Sequence, residues 1–222
     1  MKRKVFLAVA VVALLAMAAT SASALSRPRL SFVKSGGATI GWSTTGGSSP
    51  ADTGNGSSLR INAPEGGGVS AYTYGASETL VGIRGRSLSQ IDRLGFDSHG
   101  YLGNGAPRIS LGTTGDDGDH TYFLSAFYCN DPLTGGWRTS DFVNDTTDCT
   151  IWRDGTTEMT WAAAVVIADA NNEVVQSTPN DWFLIVDESP AVLNVDRLTV
   201  QDWMWNRGGS AGRVNCNVGN CV

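Results

Sequence analysis

The residues best suited to chemistry in this sequence are aromatic side chains that stand among polar and charged neighbours. Trp137 lies in Gly135-Gly136-Trp137-Arg138, and Asp141 follows four residues later. An indole ring packs against the apolar face of a sugar ring, while aspartate and arginine hydrogen-bond to its hydroxyl groups. Trp152 and Tyr101 offer similar chemistry. We therefore predict a ligand-binding site made of Trp137, Arg138, Asp141, Trp152 and Tyr101.

Core packing is the competing interpretation for each tryptophan, since large aromatic side chains dominate the burial of apolar surface. Trp161 and Trp182 stand in apolar surroundings, so we assign both to the core. Trp137 is the strongest ligand-binding candidate because its sequence predicts a polar loop.

A group of three carboxylates, Asp116, Asp117 and Asp119, falls within four residues of one loop. Calcium prefers oxygen ligands of this kind, although the spacing and closing glutamate of an EF-hand are absent. The segment Asp116-Asp117-Gly118-Asp119 is also typical of a solvated hairpin turn. The turn is the favoured interpretation, and a structural Ca²⁺ held by the three aspartates is the alternative.

Catalytic chemistry has weaker support in the sequence, and we assign no catalytic residue. His99 and His120 are the two histidines, and the adjacent Ser98 and His99 would point to opposite faces of a strand. Glycoside cleavage needs two carboxylates about 5 to 9 Å apart, a spatial relation that the sequence does not reveal. Residues able to supply such a pair are Asp97, Asp141, Glu158 and Asp187.

The first 24 residues predict an export signal. Met1-Lys2-Arg3-Lys4 is cationic, Val5 to Ala19 is apolar, and Ala22-Ser23-Ala24 is typical of a cleavage site. This apolar run is shorter than the roughly 20 residues that span a bilayer. We therefore expect a secreted chain that begins near Leu25 and has no membrane span.

Charge argues against nucleic acid as a partner. The formal net charge of the whole chain is -5, and removal of the three basic residues of the signal leaves -8. Binding to phosphates requires a clustered cationic surface. The dispersed acidic residues are typical of a solvated surface.

All four cysteines follow the export signal, so an oxidising compartment favours disulfides. Three pairings are open, and we predict the two local ones, Cys129 with Cys149 and Cys216 with Cys221. Zinc binding, the alternative, needs two further ligands that His99 and His120 are not spaced to supply locally.

Short β-compatible segments separated by glycine-rich turns predict the secondary structure. Thr121 to Tyr128 is apolar on both faces and predicts a central strand. In Val192 to Val200 the apolar positions change parity, which predicts a bulge near Asp196-Arg197. Thr157 to Asp169 predicts a short helix, and a hairpin turning at Asp154-Gly155 is the competing interpretation.

This pattern predicts an all-β fold, an antiparallel β-sandwich of the jelly-roll kind with at most one short helix. We place the sandwich domain at residues 25–205. Residues 206–222 predict a flexible C-terminal tail that contains the small disulfide loop.

Three segments together resemble secreted bacterial jelly-roll modules of the galactose-binding-like, carbohydrate-binding kind. They are Gly54 to Ile61, Ile91 to Phe96 and Val192 to Val200. The resemblance covers roughly residues 35 to 202 and also extends to uncharacterised secreted actinobacterial proteins. It implies a sandwich that binds ligand at a loop edge or a concave sheet face and often carries a structural calcium.

The sequence thus favours a secreted, non-catalytic binding module for carbohydrate or another cell-envelope ligand. Two alternatives stay open: a structural or protein-interaction module of the cell surface, and a hydrolase that acts on polysaccharide.

Overall fold

The computed structural model describes residues 29–51, 56–74, 82–100, 106–130, 136–144, 149–176, 184–187, 190–206, 212–213, 216–217 and 220–221. The predicted export signal, Tyr101 and Trp182 lie outside these ranges. No helix within them has the length and apolar character that a membrane crossing requires.

Strands dominate the described chain. In chain order they are β1 (Arg29–Ser35), β2 (Thr39–Ser43), β3 (Ser58–Ala63), β4 (Gly68–Tyr74), β5 (Leu94–Gly100), β6 (Arg108–Gly115), β7 (Gly118–Ser125), β8 (Trp137–Asp141), β9 (Ile151–Arg153), β10 (Thr157–Met159), β11 (Val174–Val175), β12 (Leu184–Val186), β13 (Ala191–Val200), β14 (Trp203–Trp205), β15 (Gly212–Arg213), β16 (Cys216–Asn217) and β17 (Asn220–Cys221).

Two antiparallel sheets contain fifteen of these strands. Sheet A has the order β1-β4-β12-β6-β7-β9-β10, and β11 also pairs with β6. Sheet B has the order β15-β14-β13-β3-β2, and β5 pairs with both β13 and β8. The remaining strands, β16 and β17, pair with each other. The predicted all-β antiparallel sandwich is confirmed, as is the central position of β7.

Alternation along the strands decides which side chains enter the core. In β6, Ile109, Leu111 and Thr113 are buried, whereas Arg108 and Ser110 are not. Ile61 of β3 and Leu193 of β13 belong to the same apolar core from the other sheet. Because successive side chains of a strand point to opposite faces, the outer face of each sheet receives the remaining side chains.

The segment between residues 151 and 170 contains both structures that the sequence left open. Asp154 and Gly155 have φ values of 55° and 67° and form the turn between β9 and β10. A helix, α1 (Trp161–Ala170), follows, and Thr160 caps it by accepting a hydrogen bond from the Ala163 N–H. The helix prediction was therefore right from residue 161 onward and wrong for 157–159, which form β10.

A bulge interrupts β13 at the predicted place. The pairing of β13 with β5 shifts register between Asp196 and Thr199. Within the bulge Arg197 has a φ of 47°, in the left-handed region. The inserted residue changes the parity of the strand, so Val195 and Leu198 both face the core.

The predicted Cys129–Cys149 disulfide is present, with an S–S distance of 2.06 Å. Between the two cysteines the chain leaves sheet A, forms β8 in sheet B, and returns to sheet A at β9. The disulfide therefore closes the base of an excursion that links the two sheets. Cys216 and Cys221 lie opposite each other in the β16–β17 ladder, and their disulfide stays a prediction.

The predicted domain boundary at residue 205 falls between two paired strands. Gly212 and Arg213 of β15 pair with Met204 and Trp203 of β14. Sheet B therefore continues into the segment that the sequence assigned to a tail.

The double variant Cys129→Ala/Cys149→Ala should lower the free energy of unfolding by about 3 kcal/mol, because a loop of about twenty residues is no longer closed in the unfolded chain. Denaturant titration measures this loss, and hydrogen exchange should show reduced protection of the β8 amides. Cys216→Ala/Cys221→Ala is the control, with a smaller loss and unchanged β8 protection. Equal protection of β8 in all three proteins would show that the disulfide does not hold that strand.

Candidate functional site

A row of side chains crosses the outer face of sheet A. The register places Ser110 opposite Phe123 and Phe123 opposite Trp152. Trp152 in turn lies opposite Glu158. Because residues that face each other on antiparallel strands share one face, two aromatic rings lie between a hydroxyl group and a carboxylate.

Two further rings extend this row. The ring centre of Tyr128 is 5.7 Å from that of Trp152, and Phe127 meets Tyr128 edge-on with ring centres 5.1 Å apart. Phe127 is 41% exposed, while Phe123, Tyr128 and Trp152 are half-buried. We call Phe123, Trp152, Tyr128 and Phe127 the aromatic strip.

A short turn after β7 positions the exposed end of the aromatic strip. Ala126 to Tyr128 form one turn of 3-10 helix, and the Ser125 hydroxyl caps it by accepting a hydrogen bond from the Phe127 N–H. Phe127 and Tyr128 therefore follow directly from the strand that carries Phe123.

Charged groups beside the aromatic strip are fixed by neighbouring side chains. The Arg108 guanidinium lies 5.5 Å from the centre of the Phe123 ring, which is a cation–π distance. Two hydrogen bonds of 2.6 Å tie Arg108 to the Asp187 carboxylate. Glu158 accepts a 2.7 Å hydrogen bond from the Thr150 hydroxyl. One cation and two carboxylates thus border the rings in defined positions.

Two polar atoms within this row lack hydrogen-bond partners in the described chain. They are the indole nitrogen of Trp152 and the hydroxyl oxygen of Ser110. An unpaired buried donor costs about 1 to 3 kcal/mol. A hydrogen-bonding ligand or water that reached these atoms would recover part of that free energy.

Trp137 does not lie in an exposed polar loop, and this part of the sequence prediction was wrong. It is the first residue of β8, and its side chain is only 6% exposed. Its ring centre lies 5.3 Å from that of His99 on the neighbouring strand. Gly136, with a φ of 81°, approaches His99 so closely that a Cβ atom would lie 2.8 Å from His99 Nε2. Packing of β8 on β5 therefore shields the indole.

Arg138 and Asp141, the other predicted ligand-binding residues of β8, have partners within the fold. Arg138 Nη1 donates hydrogen bonds to the carbonyl oxygens of Ala126 and Cys129, which joins β8 to the disulfide. Asp141 Oδ1 accepts hydrogen bonds from the backbone N–H groups of the turn that follows β8.

The structure therefore does not unite the predicted site. Trp137, Arg138 and Asp141 belong to sheet B, whereas Trp152 belongs to sheet A. Only Trp152 joins the aromatic strip, and Tyr101 lies outside the described residues. The three residues of the aromatic strip that we did not predict, Phe123, Phe127 and Tyr128, all lie in Thr121 to Tyr128. The apolar character of this segment on both faces was the available signal.

The predicted hairpin turn at Asp116 to Asp119 is present, since Gly115 pairs with Gly118 across it. Asp116 Oδ2 accepts a 2.7 Å hydrogen bond from Asn172, and Asp117 Oδ2 accepts a 3.2 Å hydrogen bond from Arg153. Asp116 and Asp117 thus have separate partners, and the group of ligand-type atoms that converges in the described chain includes Asp117 but neither Asp116 nor Asp119.

A different set of ligand-type groups does converge at this end of the sandwich. Single atoms of Asp117, His120 and Glu173 lie within 4.8 Å of one another. Arg153 Nη2 donates to Asp117 and, at 2.8 Å, to Glu173 Oε1. The guanidinium already supplies positive charge between the two carboxylates, and a metal ion there would have to displace it.

Glu173 is fully buried, and its hydrogen bonds show why the charge is tolerated. Besides Arg153, Glu173 Oε2 accepts hydrogen bonds from the hydroxyls of Thr113, at 2.6 Å, and Tyr122, at 3.0 Å. Burial, together with the Glu173 carboxylate, raises the pKa of the Tyr122 hydroxyl well above its usual range. A buried charge with this many partners is typical of a structural network.

His120 lies between two carboxylates. Its Nδ1 is 2.8 Å from Asp154 Oδ2, and its Nε2 is 3.1 Å from Asp117 Oδ1. Burial alone would lower the pKa of His120, but the hydrogen bond to Asp154 and the nearby Asp117 carboxylate outweigh it and raise that pKa. Both ring nitrogens face carboxylates, so His120 is placed as a structural cation and not as a catalytic base.

The pKa of each carboxyl partner moves the other way. Desolvation acts to raise the pKa of Asp154, but the Thr121 N–H and His120 lower it overall. Desolvation acts likewise on Asp117, where the hydrogen bond from Arg153 and the nearby His120 ring lower the pKa overall. The cluster therefore stabilises protonated His120 beside two ionised carboxylates.

Comparison with protein families, with curated proteins and with solved structures finds no match.

The free energy of unfolding should fall as the pH rises through the pKa of His120 in the folded chain. A raised pKa means that the stabilisation is fully present below the ordinary histidine value of about 6.5 and is lost above the folded value. Denaturant titrations from about pH 5.5 to 9 measure this, and His120→Gln should flatten the curve while His99→Gln keeps it. If the curve becomes flatter in His99→Gln and not in His120→Gln, the pH dependence comes from His99 and the prediction is wrong.

Proposed function

We propose that this protein is exported and binds carbohydrate, without catalysis, through the aromatic strip on the outer face of sheet A. The observation that carries the proposal is the position of Trp152, half-buried between Phe123 and Tyr128. Part of the Trp152 residue therefore stays accessible beside the neighbouring rings. This arrangement suits the apolar face of a sugar ring.

The row of side chains that contains Phe123 and Trp152 of the aromatic strip has a length that favours an extended polymer over a single sugar. The row from Ser110 to Glu158 crosses four neighbouring strands of sheet A. Neighbouring strands lie about 4.8 Å apart, so the row is roughly 14 Å long. A chain of several sugar rings is matched to this length.

The polar groups support an uncharged polysaccharide. Arg108 is neutralised by Asp187, and Glu158 is held by Thr150. Groups that are already oriented hydrogen-bond to sugar hydroxyls with a smaller loss of side-chain entropy. A polyanionic chain would meet Glu158 without a compensating free cation in this row.

A protein partner is the second candidate, favoured by one observation. Phe127 is 41% exposed, and aromatic residues are enriched at protein interfaces. Crosslinking in the medium of the producing cells separates the two functions, because soluble sugars compete with binding only when the ligand is a glycan.

Trp152→Ala should weaken binding to an insoluble neutral polysaccharide such as cellulose, chitin or mannan by at least about tenfold, or 1.4 kcal/mol, because the central ring of the strip is removed. Trp152→Phe should restore part of the affinity, since it keeps a flat ring. Depletion of the protein from solution by each polysaccharide gives the affinity.

Trp42→Ala is the matched control, because Trp42 is also half-buried and lies on the other sheet. It should bind as the unmodified protein does. If the unmodified protein binds no polysaccharide, or if Trp152→Ala binds equally well, the carbohydrate proposal is wrong.

A further inference from the structure

A pocket of about 200 Å³ opens on the outer face of sheet B, the side of the molecule opposite the aromatic strip. It lies over β5, β8 and the bulge of β13. The polar residues that line it include Arg93, Asp97, Thr139, Asp141, Asn144 and Arg197.

Asp97 is the most deeply placed of these groups, with only 2% of its surface exposed. It lies opposite Asp196 in the β5–β13 ladder, and Asp196 is fully buried. The Asp196 oxygens accept 2.8 Å hydrogen bonds from the N–H groups of Ser49 and Arg197. Backbone donors thus stabilise the Asp196 carboxylate, whereas the Asp97 carboxylate lines the pocket.

The partner of Asp97 in the described chain is Arg197, whose Nη1 lies 3.3 Å from Asp97 Oδ2. An ionised carboxylate accepts about four hydrogen bonds. Asp97 therefore keeps most of its accepting capacity for a ligand, although burial makes an unmet acceptor costly.

The bulge in β13 is what places Arg197 beside Asp97. Arg197 has a φ of 47°, in the left-handed region, which is strained for a residue with a side chain. Without the inserted residue, strand alternation would turn the side chain at this position toward the core. Backbone strain that holds a charged group at the mouth of a pocket is typical of binding sites.

Asp141 supplies the second carboxylate on the same face. It lies opposite Gly95, while Asp97 lies opposite Thr139, so the two aspartates are diagonal neighbours across β5 and β8. The turn after β8 fixes Asp141 through both oxygens: Oδ1 accepts from two backbone N–H groups, and the Asn144 side-chain amide donates to Oδ2 at 3.1 Å. Gly95 lines the pocket between these carboxylates and has no side chain. A Cβ atom at this position would collide with the Ser140 carbonyl oxygen.

We infer that this pocket binds one neutral, polyhydroxylated molecule of the size of a single sugar ring, at a site separate from the aromatic strip. Two arginines and two aspartates give the lining no net charge. An anion would meet Asp97 and Asp141, and a cation would meet Arg93 and Arg197. Hydroxyl groups both donate and accept, so they complement carboxylates and guanidinium groups together.

The volume sets the size of the ligand. The pocket has a volume of about 200 Å³. It is smaller than the roughly 300 to 1,000 Å³ of pockets that hold drug-sized ligands. One sugar ring fits this space, either as a free monosaccharide or as the terminal residue of a glycan chain.

Titration of the mature protein with D-glucose, D-galactose and D-mannose, followed by heteronuclear NMR, tests the inference. At least one sugar should shift the amide signals of β5 and β8. Thr139→Leu should weaken that binding at least tenfold, because the larger side chain fills the pocket, while Thr114→Leu on sheet A should not. Asp97→Asn should weaken it similarly, and Thr139→Leu remains decisive if Asp97→Asn does not fold.

An unbranched trisaccharide built from the sugar that binds distinguishes the two possible ligands, a free monosaccharide and the terminal residue of a glycan chain. Tighter binding of the trisaccharide identifies a chain end as the ligand, and equal or weaker binding identifies the free monosaccharide. The inference is overturned if no sugar binds or if Thr139→Leu binds normally, and hydrolysis of the trisaccharide would overturn the proposal that the protein acts without catalysis. Trp152→Ala should leave these titrations unchanged, so failure here is distinct from failure of polysaccharide binding at the aromatic strip.

Discussion

The covalent link between Cys129 and Cys149 is the constraint on which both outer faces depend. Tyr128 directly precedes the first cysteine and Trp152 closely follows the second, so the link holds two rings of the aromatic strip. The chain between the cysteines forms β8, which supplies one wall of the sheet B pocket. Arg138 strengthens the same junction by donating to the Cys129 carbonyl oxygen. One cross-link therefore fixes the relation of two surfaces on opposite sheets.

Arginine neutralises buried carboxylates at two places, with different consequences. Glu173 is fully buried and bonded to Arg153, Thr113 and Tyr122, so its network is closed. Asp97 is almost as buried, but it has one long hydrogen bond to Arg197 and borders an open pocket. Because an unmet buried acceptor is costly, the first arrangement serves the fold and the second is suited to a ligand.

Local patterns predicted much of the fold for identifiable reasons. The parity change in Val192 to Val200 revealed the β13 bulge, because an inserted residue moves apolar side chains to the other face. Asp154-Gly155 revealed a turn, since both residues tolerate positive φ. The pattern did not reveal that Trp137 begins a strand. Glycines before it predicted a loop, whereas pairing with β5, a strand about forty residues earlier, decided its burial.

The sequence by itself predicted the antiparallel strand pattern in outline, the helix from residue 161 and the Cys129–Cys149 pairing, because these depend on periodicity, capping and short chain separations. It also showed which residue types were available for binding. Only the tertiary structure decided which of them share a surface. Trp152 joins Phe123 and Tyr128 on one sheet, and Asp97 joins Asp141 and Arg197 on the other. The physical reason is that sheet order depends on pairing between strands far apart in the sequence, which no local pattern in the chain records.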